Sequence, residues 1–80
     1  MQIPIIKKLA QERSDIELKA AELALEQGLN PPSWLEGRTR GEMLTHVLAA
    51  SWVQEEIIKK NIALPHALRA YAEMVRNTIS

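Results

Sequence analysis

Residues 39–60 decide the fold, because TRGEMLTHVLAASWVQEEIIKK is the longest stretch of the chain with one consistent helical pattern. It opens on a capping box, in which Thr39 and Glu42 can each accept a hydrogen bond from the backbone amide of the other residue. Two lysines at its carboxyl end complement the helix dipole, and Asn61 can adopt the left-handed conformation that ends a helix. These signals predict one helix over residues 40–60.

The apolar residues of this helix cover an unusually broad side. At 100° per residue that side, with its two edges, contains Met43, Leu44, Val47, Leu48, Ala50, Ser51, Trp52, Val53, Ile57 and Ile58. A surface helix with a single neighbour shows a narrower stripe, so we expect this helix to contact neighbours on two sides. Gln54 and Glu55 interrupt the stripe in its second half. Either they line a polar junction, or the helix leaves the core there.

The first third of the chain allows two helical arrangements. Pro4 suits a first helical position, and a helical three-four spacing relates Ile6, Leu9, Ile16, Ala20 and Leu23, with Arg13 as the misfit. One arrangement is a single helix over residues 4–27. The other breaks near Arg13, because Ser14 and Glu17 form a second capping box. We favour the break, which gives helices over residues 4–12 and 15–27.

A connection and one further helix complete the pattern. Gly28 is typical of a helix end, and residues 31–36 predict a short helical turn whose Trp34 packs onto the core. Pro65 starts the last helix, over residues 65–78, with one apolar face that recurs at Leu64, Leu68, Tyr71, Val75 and Ile79. Because no segment alternates like a strand, we predict an all-α fold: a compact bundle of three to four helices in a single domain covering residues 1–80.

Composition excludes several classes of protein. The 80 residues contain no cysteine, which excludes a disulfide framework and a thiolate zinc site. No apolar run reaches the roughly 18 residues that a membrane-spanning helix needs, so we predict no membrane association. The formal net charge is zero, whereas domains that bind nucleic acid usually carry more basic than acidic residues. We expect a cytoplasmic protein of bacterial or phage type.

No residue set predicts catalysis or metal binding. Glu42 and His46 lie four residues apart on one predicted helix and could supply half of a metal site, but His66 belongs to another helix. Glu55 and Glu56 are adjacent, so they project about 100° apart and cannot share a proton. We predict a protein that is not an enzyme and has no catalytic, cofactor-binding or metal-binding residues. A small enzyme or enzyme subunit ranks third among the hypotheses.

The leading hypothesis is a protein that acts through protein–protein interaction, as a regulator, adaptor or inhibitor. An 80-residue chain is too small to cover all the apolar surface of its central helix, and uncovered apolar surface usually meets a partner. Self-association as a symmetric homodimer is the simplest way to cover it. The candidate partner-binding residues are Ile5, Ile6, Val53, Ile57 and Ile58.

The alternative is a DNA-binding regulator with a helix-turn-helix at about residues 15–36. Residues 31–36 would open the recognition helix, with Ser33 facing the DNA and with Arg38 and Arg40 contacting phosphates. Gly37 limits that helix to under two turns, and the preceding helix is acidic, which repels phosphate. DNA binding therefore ranks second.

Overall fold

The structure is a computed structural model that describes residues 3–79, with side chains as far as residue 77. Within this range the chain forms four α-helices: α1 (Ile3–Glu12), α2 (Asp15–Glu26), α3 (Arg40–Lys60) and α4 (Leu64–Ile79). The described residues contain no strand. The all-α bundle is confirmed, and each helix boundary lies within one residue of its predicted position.

The break between α1 and α2 is confirmed and is held by the predicted capping box. Ser14 has an extended backbone, its side chain accepts a hydrogen bond from the Glu17 amide at 3.1 Å, and the Glu17 carboxylate accepts one from the Ser14 amide at 2.9 Å. Both interactions satisfy N–H groups that a helix start leaves without intrahelical partners. Two short helices therefore replace the single long one.

Both ends of α3 follow the sequence signals, with one change at the amino end. The Thr39 hydroxyl accepts a hydrogen bond from the Glu42 amide at 3.0 Å, as predicted. The Glu42 carboxylate instead accepts from the Arg38 amide at 3.2 Å, one residue before the cap. Asn61 ends the helix in the left-handed conformation, and its amide donates to the Ile57 carbonyl. Local chemistry thus fixes the length of α3.

The other three helices all pack against α3. One core cluster lies between α1, α2 and α3 and contains Leu9, Leu18, Ala21, Leu25, Leu35, Val47 and Ala50. A second lies between α1, α3 and α4 and contains Ile6, Ala49, Val53, Ala67 and Tyr71. The predicted contact of α3 with neighbours on two sides is confirmed. Helix α1 also contacts α4, and α2 packs mainly on α3.

The exposed side of α3 is wider than the sequence pattern predicted. Leu48 and Ile58 were assigned to the apolar stripe, but they are 46% and 81% exposed. Adjacent residues project about 100° apart, so when Ile57 turns into the second cluster, Ile58 turns outward. Leu48 and Ile58 project about 80° apart, and the buried Ser51 projects between them, so they are two separate exposed positions.

Gln54 lies at a polar junction, which was one of the two predicted alternatives. Its side-chain amide donates hydrogen bonds to the backbone carbonyls of Ala10, at 3.1 Å, and Arg13, at 2.6 Å. These carbonyls end α1, where a helix leaves acceptors without intrahelical partners. The polar gap in the α3 stripe therefore fastens α1 to the central helix, while the neighbouring Glu55 is exposed.

Replacing Gln54 by alanine should lower the free energy of unfolding by about 1–3 kcal/mol, because two partly buried carbonyls lose their donor. The matched control is Glu55→Ala, which removes an exposed side chain from the next position and should change stability by no more than about 0.5 kcal/mol. Urea denaturation followed by circular dichroism measures both. Equal stability of the two variants would show that the junction does not hold α1.

The connection between α2 and α3 is partly as predicted. The Leu29 amide donates to the Ala24 carbonyl and the Gly28 amide to the Leu25 carbonyl, the pair of bonds that closes a Schellman helix end, with Gly28 at a φ of 75°. In place of the predicted helical turn over residues 31–36, the segment has a single hydrogen-bonded turn without helix, in which the Leu35 amide donates to the Pro32 carbonyl.

Side-chain packing anchors this connection and the last helix. Leu35 is buried in the first cluster, and the partly buried Trp34 packs against it, as predicted. On α4, Tyr71 is buried in the second cluster, while Leu68 and Val75 pack against it. The side chain of Ile79, predicted on the same face, lies outside the described side chains.

Candidate functional site

Two large apolar side chains are exposed on one side of α2. Ile16 and Leu23 are 80% and 54% exposed, and the exposed Ala20 lies between them on the same side of the helix. We call these three residues the outer surface of α2. They project about 200° away from Leu18 and Leu25, which face the first core cluster. Helix α2 therefore has two apolar faces, only one of which is packed.

A groove runs beside the outer surface. It has a volume of about 310 Å³ and is lined by Glu17, Ala20, Ala21, Asn30, Pro32 and Trp34. Ala20 belongs both to the groove and to the outer surface, so the two are continuous. Small alanines form its helical side, and Pro32 and Trp34 belong to the connection that follows α2. The groove is large enough to receive an apolar side chain.

Arg13 and Glu17 fix one wall of this groove. The guanidinium of Arg13 lies 4.6 Å from the centre of the Trp34 ring, and the same group lies 3.3 Å from the Glu17 carboxylate. The Ser14 backbone amide, which donates to Glu17, holds the pKa of this carboxyl below its ordinary value, and Arg13 adds to the effect while desolvation opposes it. The Glu17 carboxylate therefore forms an ion pair with Arg13 and positions its guanidinium against the Trp34 ring.

The outer surface has an acidic border. Helix α2 contains four carboxylates, Asp15, Glu17, Glu22 and Glu26, against the single ammonium of Lys19, a formal charge of −3. Asp15 lies 3.9 Å from Lys19. Within residues 3–77, Glu22 and Glu26 have no ion-pair partner. The charges beside the outer surface of α2 that lack an ion-pair partner are therefore negative.

The partner-binding residues predicted from the sequence mostly lie inside the protein. Ile6 and Val53 are fully buried in the second cluster, so in this structure they belong to the core rather than to an exposed surface. Ile5 and Ile57 are partly buried and pack against the first and second clusters. Ile58 alone is exposed. Helices α1 and α4 cover the apolar sides of α3 that the sequence left open.

The sequence pattern grouped the outer surface of α2 with Ile6 and Leu9 of α1 on one helical side. The spacing that starts at Ile6 and Leu9 continues to Ile16, Ala20 and Leu23, and it would mark a buried side if α1 and α2 were one helix. The break at Ser14 changes the direction of the chain, so the buried residues of α2 are Leu18, Ala21 and Leu25 instead. The signal that could have found the surface is the second apolar stripe within α2.

A family model with the description "Family of unknown function (DUF6952)" matches residues 1–80, the whole chain. The chain belongs to the DUF6952 family. No curated protein and no solved structure gives a significant match to it. The family description assigns no activity. None of the helices in residues 3–79 combines the length and the apolar character that crossing a membrane requires.

The helix-turn-helix predicted at residues 15–36 does not form. Residues 31–36 contain one turn in place of a recognition helix, and two of these six residues are prolines, which have no backbone N–H to donate. Ser33 and Arg38 are exposed, but Arg40 is engaged within the chain. Its guanidinium Nη2 lies 2.8 Å from the Leu29 carbonyl oxygen and 3.0 Å from that of Leu25. Arg40 therefore closes the carboxyl end of α2.

Replacing Arg40 by alanine should lower the free energy of unfolding by about 1–2 kcal/mol, because exposed but charge-assisted hydrogen bonds to the end of α2 are lost. Arg38→Ala is the matched control, since the exposed Arg38 side chain makes no hydrogen bond or ion pair within residues 3–77. Thermal unfolding of the two variants measures the difference. A larger loss in Arg38→Ala than in Arg40→Ala would contradict the structural role given to Arg40.

Three buried polar side chains on α3 do not converge on a site. The Nδ1 atom of His46 donates to the Glu36 carbonyl at 2.9 Å, while its Nε2 atom and the Ser51 hydroxyl are buried and have no hydrogen-bond partner among residues 3–77. One buried oxygen of Glu56 lies 3.0 Å from the Lys60 ammonium, as an ion pair rather than an aligned hydrogen bond. These residues face different sides of the helix. Among residues 3–79, no group of three or more potential ligands could hold a metal.

Proposed function

We propose that this protein acts by binding another protein through the outer surface of α2, as a non-enzymatic regulator, adaptor or inhibitor. One observation carries the proposal: two large apolar side chains, Ile16 and Leu23, are exposed on the side of α2 that no described helix covers. Full burial of such a side chain contributes about 1.5–3 kcal/mol, so the pair could supply a substantial part of a binding energy. The adjoining groove offers a place for a further anchor residue.

The proposal retains the function predicted from the sequence and moves it to another surface. Ile58 is exposed as well, but it stands in the last turn of α3 beside Lys59 and Lys60, without an apolar neighbour on its side of the helix. The outer surface of α2 combines two large apolar residues with a groove. Apolar patches with polar borders of this kind are typical of protein interaction sites.

Self-association, a cytoplasmic location and a bacterial or phage origin stay predictions. A homodimer that paired two outer surfaces would bring two helices of charge −3 together, which opposes association. DNA binding also stays a prediction. Of its three candidate residues, Arg40 bonds the end of α2, whereas Ser33 and Arg38 are exposed.

The experiment compares wild-type protein with the double variant Ile16→Gln, Leu23→Gln. Glutamine is a good helix former without charge, so the change removes the apolar surface and preserves α2. The matched control is Ile58→Gln, which removes an exposed isoleucine from α3. Affinity-tagged forms are expressed in the source cell, and the proteins retained by each are quantified by mass spectrometry.

We expect one or more proteins to be retained by the wild type and by Ile58→Gln and to be lost with the double variant. Equal circular dichroism spectra and urea midpoints of the three forms show that folding is unchanged. An identical set of retained proteins for all three forms would overturn the proposal.

A further inference from the structure

We propose that the partner binds this surface with an amphipathic helix whose apolar stripe is bordered by lysine or arginine. This inference rests on the proposed function and adds the shape and the charge of the partner segment. The outer surface of α2 decides the shape, and the carboxylates beside it decide the charge.

The geometry of the surface fits a helix. Ile16 and Leu23 are separated by seven residues, or about 10.5 Å along the axis, and the small Ala20 between them allows a second helix to approach closely. The groove beside Ala20 is bounded by Trp34 and Pro32 and could receive one large side chain of that helix. This is the arrangement in which an amphipathic helix inserts its apolar face into a groove.

A strand-like partner finds no backbone to pair with at this site. An extended peptide binds by adding its hydrogen bonds to the edge of a sheet. The described chain has no strand, and the backbone of α2 is committed to helical hydrogen bonds rather than to a free sheet edge. Recognition must therefore come from side chains, which a helix presents in one stripe.

The charges around the surface favour a basic partner. Glu22 and Glu26 are four residues apart on one border of α2 and have no ion-pair partner within residues 3–77. The one cation of α2, Lys19, lies 3.9 Å from Asp15 and is thereby partly neutralised. The whole chain has no net charge, so this negative charge is a local feature of the surface. Lysine or arginine beside the partner's apolar stripe would meet unpaired carboxylates, whereas acidic residues would be repelled.

A second copy of this chain fits less well. Two outer surfaces placed face to face would each contribute a helix of charge −3, so the borders would repel one another. Apart from Lys19, the basic residues of the chain lie outside α2, including Lys7 and Lys8 of α1 and Lys59 and Lys60 of α3. We therefore commit to a segment of another protein, and self-association becomes one outcome of the test.

The test is a selection from a library of helical peptides in which both the apolar and the bordering positions are randomised. The probe is the full chain, and no natural partner needs to be known. Selected peptides are then measured by fluorescence anisotropy against the wild type, the surface variant Ile16→Gln/Leu23→Gln and the charge variant Glu22→Gln/Glu26→Gln. Light scattering of the protein without peptide reports its oligomeric state.

We expect the enriched peptides to carry apolar residues at helical spacing and a net positive charge. Their affinity should fall by at least about tenfold with the surface variant, as for central interface residues, and by about two- to tenfold with the charge variant, as for exposed ion pairs. Added salt should weaken binding to the wild type more than binding to the charge variant.

The possible failures are distinguishable. Peptides that are neutral or acidic but still depend on Ile16 and Leu23 would overturn the basic partner and leave the proposed function in place. Peptides that bind the surface variant as tightly as the wild type, or a selection that enriches none, would overturn both. A dimer that the surface variant dissociates would show that a second copy occupies the site, which also overturns the inference.

Discussion

Val53→Lys will unfold the domain, whereas Ile58→Lys will leave its free energy of unfolding within about 0.5 kcal/mol of the wild-type value. Val53 is fully buried between α3 and α4, and Ile58 is 81% exposed one and a half turns further along the same helix. A buried, unpaired ammonium costs several kcal/mol. An 80-residue domain has only about 4–12 kcal/mol of total stability, from roughly 0.05–0.15 kcal/mol per residue.

Circular dichroism shows whether each lysine variant is folded, and urea denaturation measures its free energy of unfolding. The pair also separates the two accounts of where this protein binds, because the sequence alone placed Val53 and Ile58 on the same interaction surface. A folded Val53→Lys protein with an unchanged urea midpoint would mean that the second core cluster is open, and it would restore Val53 as a binding residue.

Leu18→Ala should lower the free energy of unfolding by about 2–5 kcal/mol, while Leu23→Ala should lower it by less than about 1 kcal/mol. Both residues are leucines of α2, but Leu18 is fully buried in the first cluster and Leu23 is 54% exposed. Removing Leu18 leaves a cavity among packed side chains. Removing Leu23 exposes little new apolar surface, and alanine is a better helix former than leucine.

Denaturation of the two alanine variants in urea, with the slope of the transition held in common, measures this difference directly. If Leu23→Ala were the more destabilising change, the face of α2 that we describe as free would be the packed one. The interaction surface would then have to lie elsewhere.

The sequence predicted where the helices begin and end because that information is local. Ser14 and Thr39 cap helices with their own hydroxyls, and Gly28 and Asn61 take the left-handed conformations that end them. Each signal involves residues that are neighbours along the chain, so no knowledge of the tertiary structure is needed to recognise it.

Contacts between distant parts of the chain were harder to predict from the sequence. Gln54 was recognised as a polar interruption of α3, but its bonds to the end of α1 span more than forty residues. Arg40 was assigned to phosphate, whereas it bonds the end of α2. Helix ends leave carbonyls without partners, yet which side chain satisfies them depends on how the helices cross. Helix α3 uses these two side chains to fasten both preceding helices.

The candidate site escaped prediction for a related reason. A helix with two apolar stripes gives no indication of which stripe is packed until its neighbours are known, and α2 has both Leu18 with Leu25 and Ile16 with Leu23. The structure decides between them, because Leu18 and Leu25 are buried in the first cluster, whereas Ile16 and Leu23 are exposed. The stripe that remains is available for a partner.

The central claim is that the outer surface of α2 contacts another protein in the cell. Its most direct test is site-specific photocrosslinking, with benzophenone-alanine placed at position 23 of α2 in one form and at position 58 of α3 in another. Both positions carry exposed apolar side chains in the wild type, so they differ in location rather than in character. We predict a crosslinked adduct with another protein from position 23 and none from position 58. Absence of an adduct at position 23, or an equal adduct at position 58, would contradict the account.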